Sequence, residues 1–133
     1  MALVNPYQQY RQAQVVTADP LKLVVMLYDG AINFLRQAVI AGNAGQNEEM
    51  RRLLGRAQDI VFELWATLDL EAGEIAGNLF RLYEYINGRL AAAGITHETA
   101  PLEETIALLS GLREAWQVVS EESKALKGDG TLG

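Results

Sequence analysis

Four long stretches of this 133-residue chain repeat apolar residues at spacings of three and four, and short glycine-containing turns separate them. That spacing places apolar side chains on one face of an α-helix, whereas a half-buried strand would alternate apolar and polar residues. Three short connections between helices of similar length favour antiparallel neighbours. The sequence therefore predicts an all-α fold: an antiparallel up-down-up-down four-helix bundle with an N-terminal arm or short capping helix.

The predicted boundaries follow ordinary capping signals. Asp19 is a good N-cap and Pro20 suits the first helical position, where its missing N–H costs nothing. Glycines mark the ends of the helices. The four predicted helices cover residues 20–42, 47–70, 74–93 and 99–126. The domains are thus an N-terminal arm (residues 1–18), the bundle (19–126) and a glycine-rich tail (127–133) that we expect to be disordered.

Each predicted helix carries one stripe that is suited to the bundle core. In chain order the four stripes are Val24, Leu27, Ala31, Phe34, Leu35 and Ala38; Met50, Leu53, Leu54, Ala57, Ile60, Val61, Leu64 and Leu68; Ile75, Leu79, Leu82, Tyr83, Ile86 and Leu90; and Leu102, Ile106, Leu109, Leu112 and Trp116. These stripes are enough to close one bundle.

Further apolar residues lie outside the predicted core stripes. The first helix has a flank of Leu21, Val25, Ile32 and Val39, with Tyr28 between this flank and the core stripe, and the fourth has Leu108, Ala115, Val119 and Leu126. The second helix adds Phe62 and Trp65, and the third adds Phe80 and Tyr85. Large apolar patches usually mark a partner site. Periodicity leaves three uses open: packing between two neighbouring helices or under the arm, homodimerisation, or a groove for an amphipathic helix from another protein.

Composition and charge exclude several classes of protein. The chain has no cysteine and a formal net charge of -6, so thiol chemistry is absent and nucleic acid is an unfavourable partner. The N-terminus lacks the basic and apolar regions of a secretory signal. No window is expected to be apolar enough, over enough residues, to span a bilayer, and we expect no membrane insertion.

Residues for catalysis or metal binding are sparse. His97 is the only histidine and stands in a predicted loop, whereas structural zinc needs four nitrogen or sulfur ligands. The neighbouring acids Glu103 and Glu104 diverge around a helix and do not form a two-carboxylate site. The sequence shows neither the Glu-x-x-His motif of di-iron bundles nor a phosphate-binding loop. We therefore expect no enzyme activity, no cofactor and no metal, which leaves a binder or a structural dimer.

Several blocks of the chain resemble one bacterial family. Tyr10, Val15, Thr17, Ala18 and Pro20, followed by "LKLVVMLYDGAINFLRQA", resemble the opening signature of the flagellin-specific export chaperones, the FliS family. Residues 56–86 resemble its middle block and "GLREAW" (111–116) its C-terminal helix. One departure is the single glycine at Gly73, where family members often have two.

The resemblance implies a cytoplasmic, non-enzymatic protein whose partner is the disordered C-terminal segment of flagellin. The family keeps that segment from polymerising early, is associated with the export gate, and in some members contacts other flagellar regulators. Its arm can fold back over the groove that binds flagellin, a role that the resemblance assigns to Tyr10 and Tyr7. We accordingly expect a monomer or weak homodimer. The predicted flagellin-binding residues are Tyr7, Tyr10, Leu21, Val25, Tyr28, Ile32, Val39, Leu108 and Val119.

Overall fold

The computed structural model describes residues 19–132 of the chain and the side chains as far as residue 126. The described range contains four α-helices, which we number α1 (Pro20–Asn43), α2 (Asn47–Ala66), α3 (Glu74–Thr96) and α4 (Ala100–Leu132), and one 3-10 helix (Leu70–Ala72). The all-α prediction is confirmed. The predicted arm, with Tyr7 and Tyr10, lies outside the described residues.

Helix α1 begins where its capping residues predict. The Oδ1 atom of Asp19 accepts a hydrogen bond from the backbone N–H of Lys22 at 3.1 Å, and Pro20 is the first helical residue. This bond satisfies one of the N–H groups that every helix start leaves without an intrahelical partner.

The turn between α2 and α3 is longer than predicted. Helix α2 ends at Ala66 rather than near Leu70, and the 3-10 helix follows after Asp69, whose side chain accepts from the Glu71 N–H at 3.0 Å. Gly73 then has a φ of +128°, a backbone conformation that a side chain would disfavour. Thr67 is the C-cap of α2, with its hydroxyl donating to the Leu64 carbonyl at 2.9 Å, and Asp69 caps the 3-10 helix that follows. One glycine is sufficient to start α3.

Two helices run further than the sequence predicts. Helix α3 passes Gly94 and ends at Thr96, because the next residue, His97, adopts the left-handed conformation (φ 63°) that usually falls to glycine. Helix α4 continues to Leu132, six residues beyond the predicted end. Glycine lowers helix propensity by about 1 kcal/mol but, unlike proline, does not block the helix. Side chains beyond residue 126 lie outside the description, and the disorder predicted for 127–133 stays a prediction.

The four helices form a closed ring. Helix α1 packs against α2 and α4, α2 against α3, and α3 against α4. Arg51 near the start of α2 meets His97 at the end of α3, and Gly42 at the end of α1 lies beside Thr99 just before α4, so these neighbouring helices run in opposite directions. The side between α3 and α4 is the most open. On its outer surface the Glu104 carboxylate of α4 accepts hydrogen bonds from Arg89 Nε at 2.8 Å and from the Tyr85 hydroxyl at 2.7 Å.

The core agrees with the prediction for α2 and differs for α1. Met50 through Leu64 of the predicted α2 stripe are buried without exception. In α1 the core includes Ile32, which the sequence placed on the flank, and Tyr28, which it placed between the flank and the core stripe. The flank assignment is wrong for Ile32 and for the buried Val25, because α1 belongs to the two closest helix pairs of the ring and a wider arc of it is covered.

One predicted core residue lies on the surface. Ile75 is 75% exposed, since it is the second residue of α3 and stands at the end of the bundle beyond the neighbouring helices. Val24 and Phe34, also predicted for the core, are only partly buried against it.

Helix α1 is also long and apolar enough to cross a membrane by length and composition, so the expectation that no window reaches this level is wrong. Of its most apolar 18-residue window, 44% is buried inside the protein. A core helix passes the same test when its apolar residues face neighbouring helices, and α1 has two such neighbours.

Two glycines should respond oppositely to replacement by alanine. A Cβ on Gly42 would lie 2.8 Å from Met50 Sδ and 3.0 Å from Thr99 Cγ2, whereas a Cβ on Gly88 would meet no atom within 4 Å. We expect Gly88→Ala to raise the free energy of unfolding by about 0.5–1 kcal/mol through helix propensity. Gly42→Ala should lose that gain to crowding between α1, α2 and α4. Urea unfolding of both variants measures the difference; equal stabilisation would show that Gly42 is not closely packed.

Candidate functional site

An apolar groove of about 410 Å³ opens at the end of the bundle where α1 and α3 begin. We call it the end groove. Its lining comes from all four helices and the α2–α3 turn: Pro20, Leu21, Val24, Leu64, Thr67, Leu68, Asp69, Ala72, Ile75, Ala76, Leu79, Tyr83 and Trp116. Most of these side chains are apolar, and a concave apolar surface of this kind accepts apolar side chains from a ligand.

Polar groups beneath the groove tie three helices together. The Tyr28 hydroxyl of α1 is hydrogen-bonded to the Tyr83 hydroxyl of α3, and it accepts a bond from Nε1 of Trp116 on α4 at 3.1 Å. Tyr83 and Trp116 line the end groove, so this network fixes one of its walls. Burial raises the pKa of both phenols above the ordinary tyrosine value.

These raised pKa values predict a loss of stability in alkali. The unfolded chain releases the two phenol protons near pH 10, the ordinary value, while the folded protein retains them. The stabilising contribution is therefore complete below pH 10 and is lost as the pH rises above it, by up to about 1.4 kcal/mol per pH unit for each phenol. Denaturant unfolding between pH 8 and 11 should show a shallower decline for Tyr83→Phe than for the parent protein. Equal slopes would contradict this assignment.

A second apolar pocket, the aromatic pocket, lies beside the end groove and shares Leu68 with it. It has a volume of about 420 Å³ and is lined by Phe62, Trp65, Ala66, Leu68, Leu70 and Phe80. The apolar surface thus continues from the end of the bundle onto the outer side of α2 and α3.

The structure does not gather the predicted flagellin-binding residues in one place. Leu21 lines the end groove, and Val119 is 45% exposed on α4. Val39 and Leu108 are partly buried against the core. Tyr28 and Ile32 belong to the core, and Val25 is buried. Tyr28 reaches the groove only through the bonds of its hydroxyl to Tyr83 and Trp116.

Several residues of the end groove escaped the sequence analysis as site residues. Leu64, Leu68, Ile75 and Leu79 were assigned to core stripes, because periodicity identifies the face of a helix and not its height in the bundle. A usable signal is position: Ile75 follows the Gly73 turn immediately, and Leu68 follows the end of α2. Phe62 and Tyr85, which were placed outside the core stripes, are indeed exposed.

Several polar groups elsewhere in residues 19–126 form ion pairs and caps. A cleft between α1 and α4 contains Arg113, whose Nε donates to Asp29 Oδ1 at 2.8 Å. His97 Nε2 accepts from Arg51 at 3.0 Å at the opposite end of the bundle from the end groove. Among the described residues, His, Asp and Glu side chains form no group of three that would hold a metal ion.

Comparison with known proteins agrees with a binding role. The family model described as flagellar protein FliS matches residues 3–123. The chain belongs to the FliS family of flagellar secretion chaperones. It is 37% identical over 136 residues to the flagellar secretion chaperone FliS of Bacillus subtilis strain 168, with 99% of each chain covered. It is 39% identical over 122 residues to FliSB of Pseudomonas aeruginosa, covering 90% of this chain and 97% of the relative.

The FliS fold is also found among solved structures. One described as the crystal structure of a flagellar chaperone from bacteria superposes with a TM-score of 0.73 at 22% identity, covering 87% of this chain and 95% of the other. At this identity the likeness concerns the fold. The FliS relatives are named as chaperones, which are not enzymes, so the resemblance noted in the sequence is confirmed at the level of the family.

Proposed function

We propose that the protein is a cytoplasmic export chaperone that binds the disordered C-terminal segment of flagellin. It thereby prevents premature polymerisation and keeps flagellin competent for export. The observation that carries this proposal is the end groove, an open apolar surface on a member of a secretion-chaperone family. A disordered apolar segment of another protein is the kind of ligand that such a surface fits.

The groove alone is too small to hold a disordered segment tightly. Each fully buried aliphatic side chain contributes about 1.5–3 kcal/mol, while ordering a disordered segment costs about 2–5 kcal/mol or more. Several anchors are therefore needed, and the segment has to extend beyond the end groove. Glu104 of α4 binds Tyr85 and Arg89 of α3. At about 100° per residue Leu108 and Val119 fall within about 60° of Glu104, so we assign them to the open α3–α4 side as such an extension.

The predicted contact residues take different roles in this proposal. Leu21, Val39, Leu108 and Val119 contact flagellin directly through their accessible parts. Tyr28 acts from beneath, through Trp116 and Tyr83. The buried Val25 and Ile32 contribute by shaping the walls of the bundle.

The N-terminal arm is proposed to cover the groove until flagellin replaces it. Pro20 and Leu21 line the end groove, so the arm is joined to the bundle at the edge of the groove. Eighteen residues span up to about 60 Å when extended, which is more than enough to cross the groove. Tyr7 and Tyr10 supply apolar rings with polar tips that suit a groove open to water. Truncation of residues 1–15 should then weaken flagellin binding by no more than the arm's own contacts.

Other partners follow from the same role. The export gate must receive the complex, and flagellar co-regulators are possible partners of the same surface. The acidic net charge disfavours nucleic acid as a partner. The bundle is proposed to act as a soluble monomer or weak homodimer without membrane insertion. A constitutive dimer formed by the apolar flank is the competing function, and it would show a mass that depends on protein concentration without any partner.

A polymerisation assay tests the proposal. Flagellin monomers seeded with filament fragments are followed by light scattering, with and without an equimolar amount of the protein. We expect the protein to suppress growth and to co-elute with intact flagellin but not with flagellin that lacks its C-terminal segment. Unchanged growth and no co-elution would reject the proposal.

A further inference from the structure

The aromatic pocket is a rigid and exposed surface that the flagellin-binding proposal does not use. The rings of Phe62 and Trp65 stack with centroids 6.0 Å apart and planes within 8°, and Phe80 meets Trp65 edge-on at 5.3 Å. Phe62 is 50% and Leu70 55% exposed. Three mutually packed rings on two helices present apolar area at little conformational cost.

Most of the charged residues around this pocket are acidic. Between Arg56 and Arg81 the chain has five acidic residues and no lysine or arginine. Asp59 precedes Phe62 by three residues and Glu84 follows Phe80 by four, so each is a neighbour of that ring on the helix surface. Glu71 adjoins Leu70, and all three acids are exposed.

One arginine stands at the end of this acidic stretch. The guanidinium of Arg81 donates to Asn78 Oδ1 at 2.5 Å, which holds this side chain along its own helix, α3. The pocket therefore combines an apolar floor with an acidic fringe, which we define as Asp59, Glu71 and Glu84.

We propose that the aromatic pocket docks a basic amphipathic helix of a partner protein other than flagellin. Apolar side chains of that helix contact Phe62, Trp65 and Phe80, and its lysines or arginines lie against the acidic fringe. An arginine beside Trp65 gains a further cation–π attraction. A second copy of this chain fits less well, because pairing two identical pockets brings two acidic fringes together.

Two synthetic peptides test the proposal on the full-length chain. One is an 18-residue amphipathic helix of leucine and lysine, and the other has glutamate in place of lysine. For this measurement Trp116 is replaced by phenylalanine (Trp116→Phe), so that Trp65 is the only tryptophan in the protein. We expect the lysine peptide to shift the Trp65 emission to shorter wavelength, with an affinity that falls as salt rises.

Matched charge variants separate local from overall attraction. One triple variant removes the acidic fringe: Asp59→Asn, Glu71→Gln and Glu84→Gln. It should lower the affinity for the lysine peptide about tenfold, because three rim charges act together. The control variant makes the same change in net charge on α4, by Glu103→Gln, Glu121→Gln and Glu122→Gln, and should lower the affinity less than twofold. Phe62→Ser should abolish the emission shift in a protein whose circular dichroism is unchanged.

Four outcomes would overturn the proposal. If both triple variants lowered the affinity for the lysine peptide equally, the peptide would be attracted by the net charge of the protein alone. If the glutamate peptide bound as tightly as the lysine peptide, unspecific apolar association alone would explain the binding. Binding that appears only after removal of residues 1–18 would make the pocket a site for the chain's own arm. A concentration-dependent dimer that Phe62→Ser dissociates would make it a self-association surface.

Discussion

Replacing Ile75 by aspartate is expected to weaken binding of the flagellin C-terminal segment by about 10- to 100-fold. The change removes an aliphatic contact worth about 1.5–3 kcal/mol and places a charge at an apolar surface that the segment would have to desolvate. Ile75 is 75% exposed in the free protein, so folding should not suffer. An acid in the first turn of α3 even favours the helix dipole. Titration calorimetry and thermal unfolding measure the two effects separately.

Ile95 provides the control for this variant. It lies at the other end of the same helix, is 81% exposed and has no part in the end groove. Ile95→Asp should leave the affinity unchanged and lower the unfolding midpoint slightly, since an acid near a helix C-terminus opposes the dipole. If both variants bound flagellin as well as the parent, the end groove would not be the binding site.

The second large effect concerns stability. Ile32→Ser should lower the free energy of unfolding by about 2–5 kcal/mol, because the side chain is 5% exposed within the core and its loss leaves a cavity with a hydroxyl in it. Ile40→Ser is the matched control on α1: this isoleucine is 68% exposed, and its replacement should change stability by less than about 0.5 kcal/mol.

This pair of variants also decides between two views of α1. The sequence placed Ile32 on a flank available to a ligand, whereas the structure places it in the core. A stable Ile32→Ser protein with weakened flagellin binding would restore the first view. An unstable protein that still binds flagellin, measured well below its unfolding midpoint, agrees with the second.

The sequence predicted the core residues well only where a helix has clearly separate apolar and polar faces. Helix α2 has charged residues opposite its apolar stripe, so periodicity identified its core residues from Met50 to Leu64. Helix α1 is apolar around much of its circumference, and only its neighbours decide which arc is covered. The pattern could not show that α2 and α4 both pack closely on α1 and bury Tyr28 and Ile32.

The site was harder to predict than the fold. The end groove depends on where helices stop, and the stops depend on local geometry: the Asp69 cap, the positive φ of Gly73 and the left-handed His97. When a helix ends a few residues from its predicted position, a residue predicted for the core, such as Ile75, lies at the rim of the end groove. The aromatic residues Phe62, Trp65 and Phe80 could be placed outside the core stripes, but their mutual packing required coordinates.

Binding of flagellin is tested by titrating its isolated C-terminal segment into the folded full-length protein, by calorimetry at several temperatures. We expect saturable one-to-one binding with a negative heat-capacity change, the sign of apolar area leaving water. A protein that is folded by circular dichroism yet gives no binding heat at any of these temperatures would contradict this expectation.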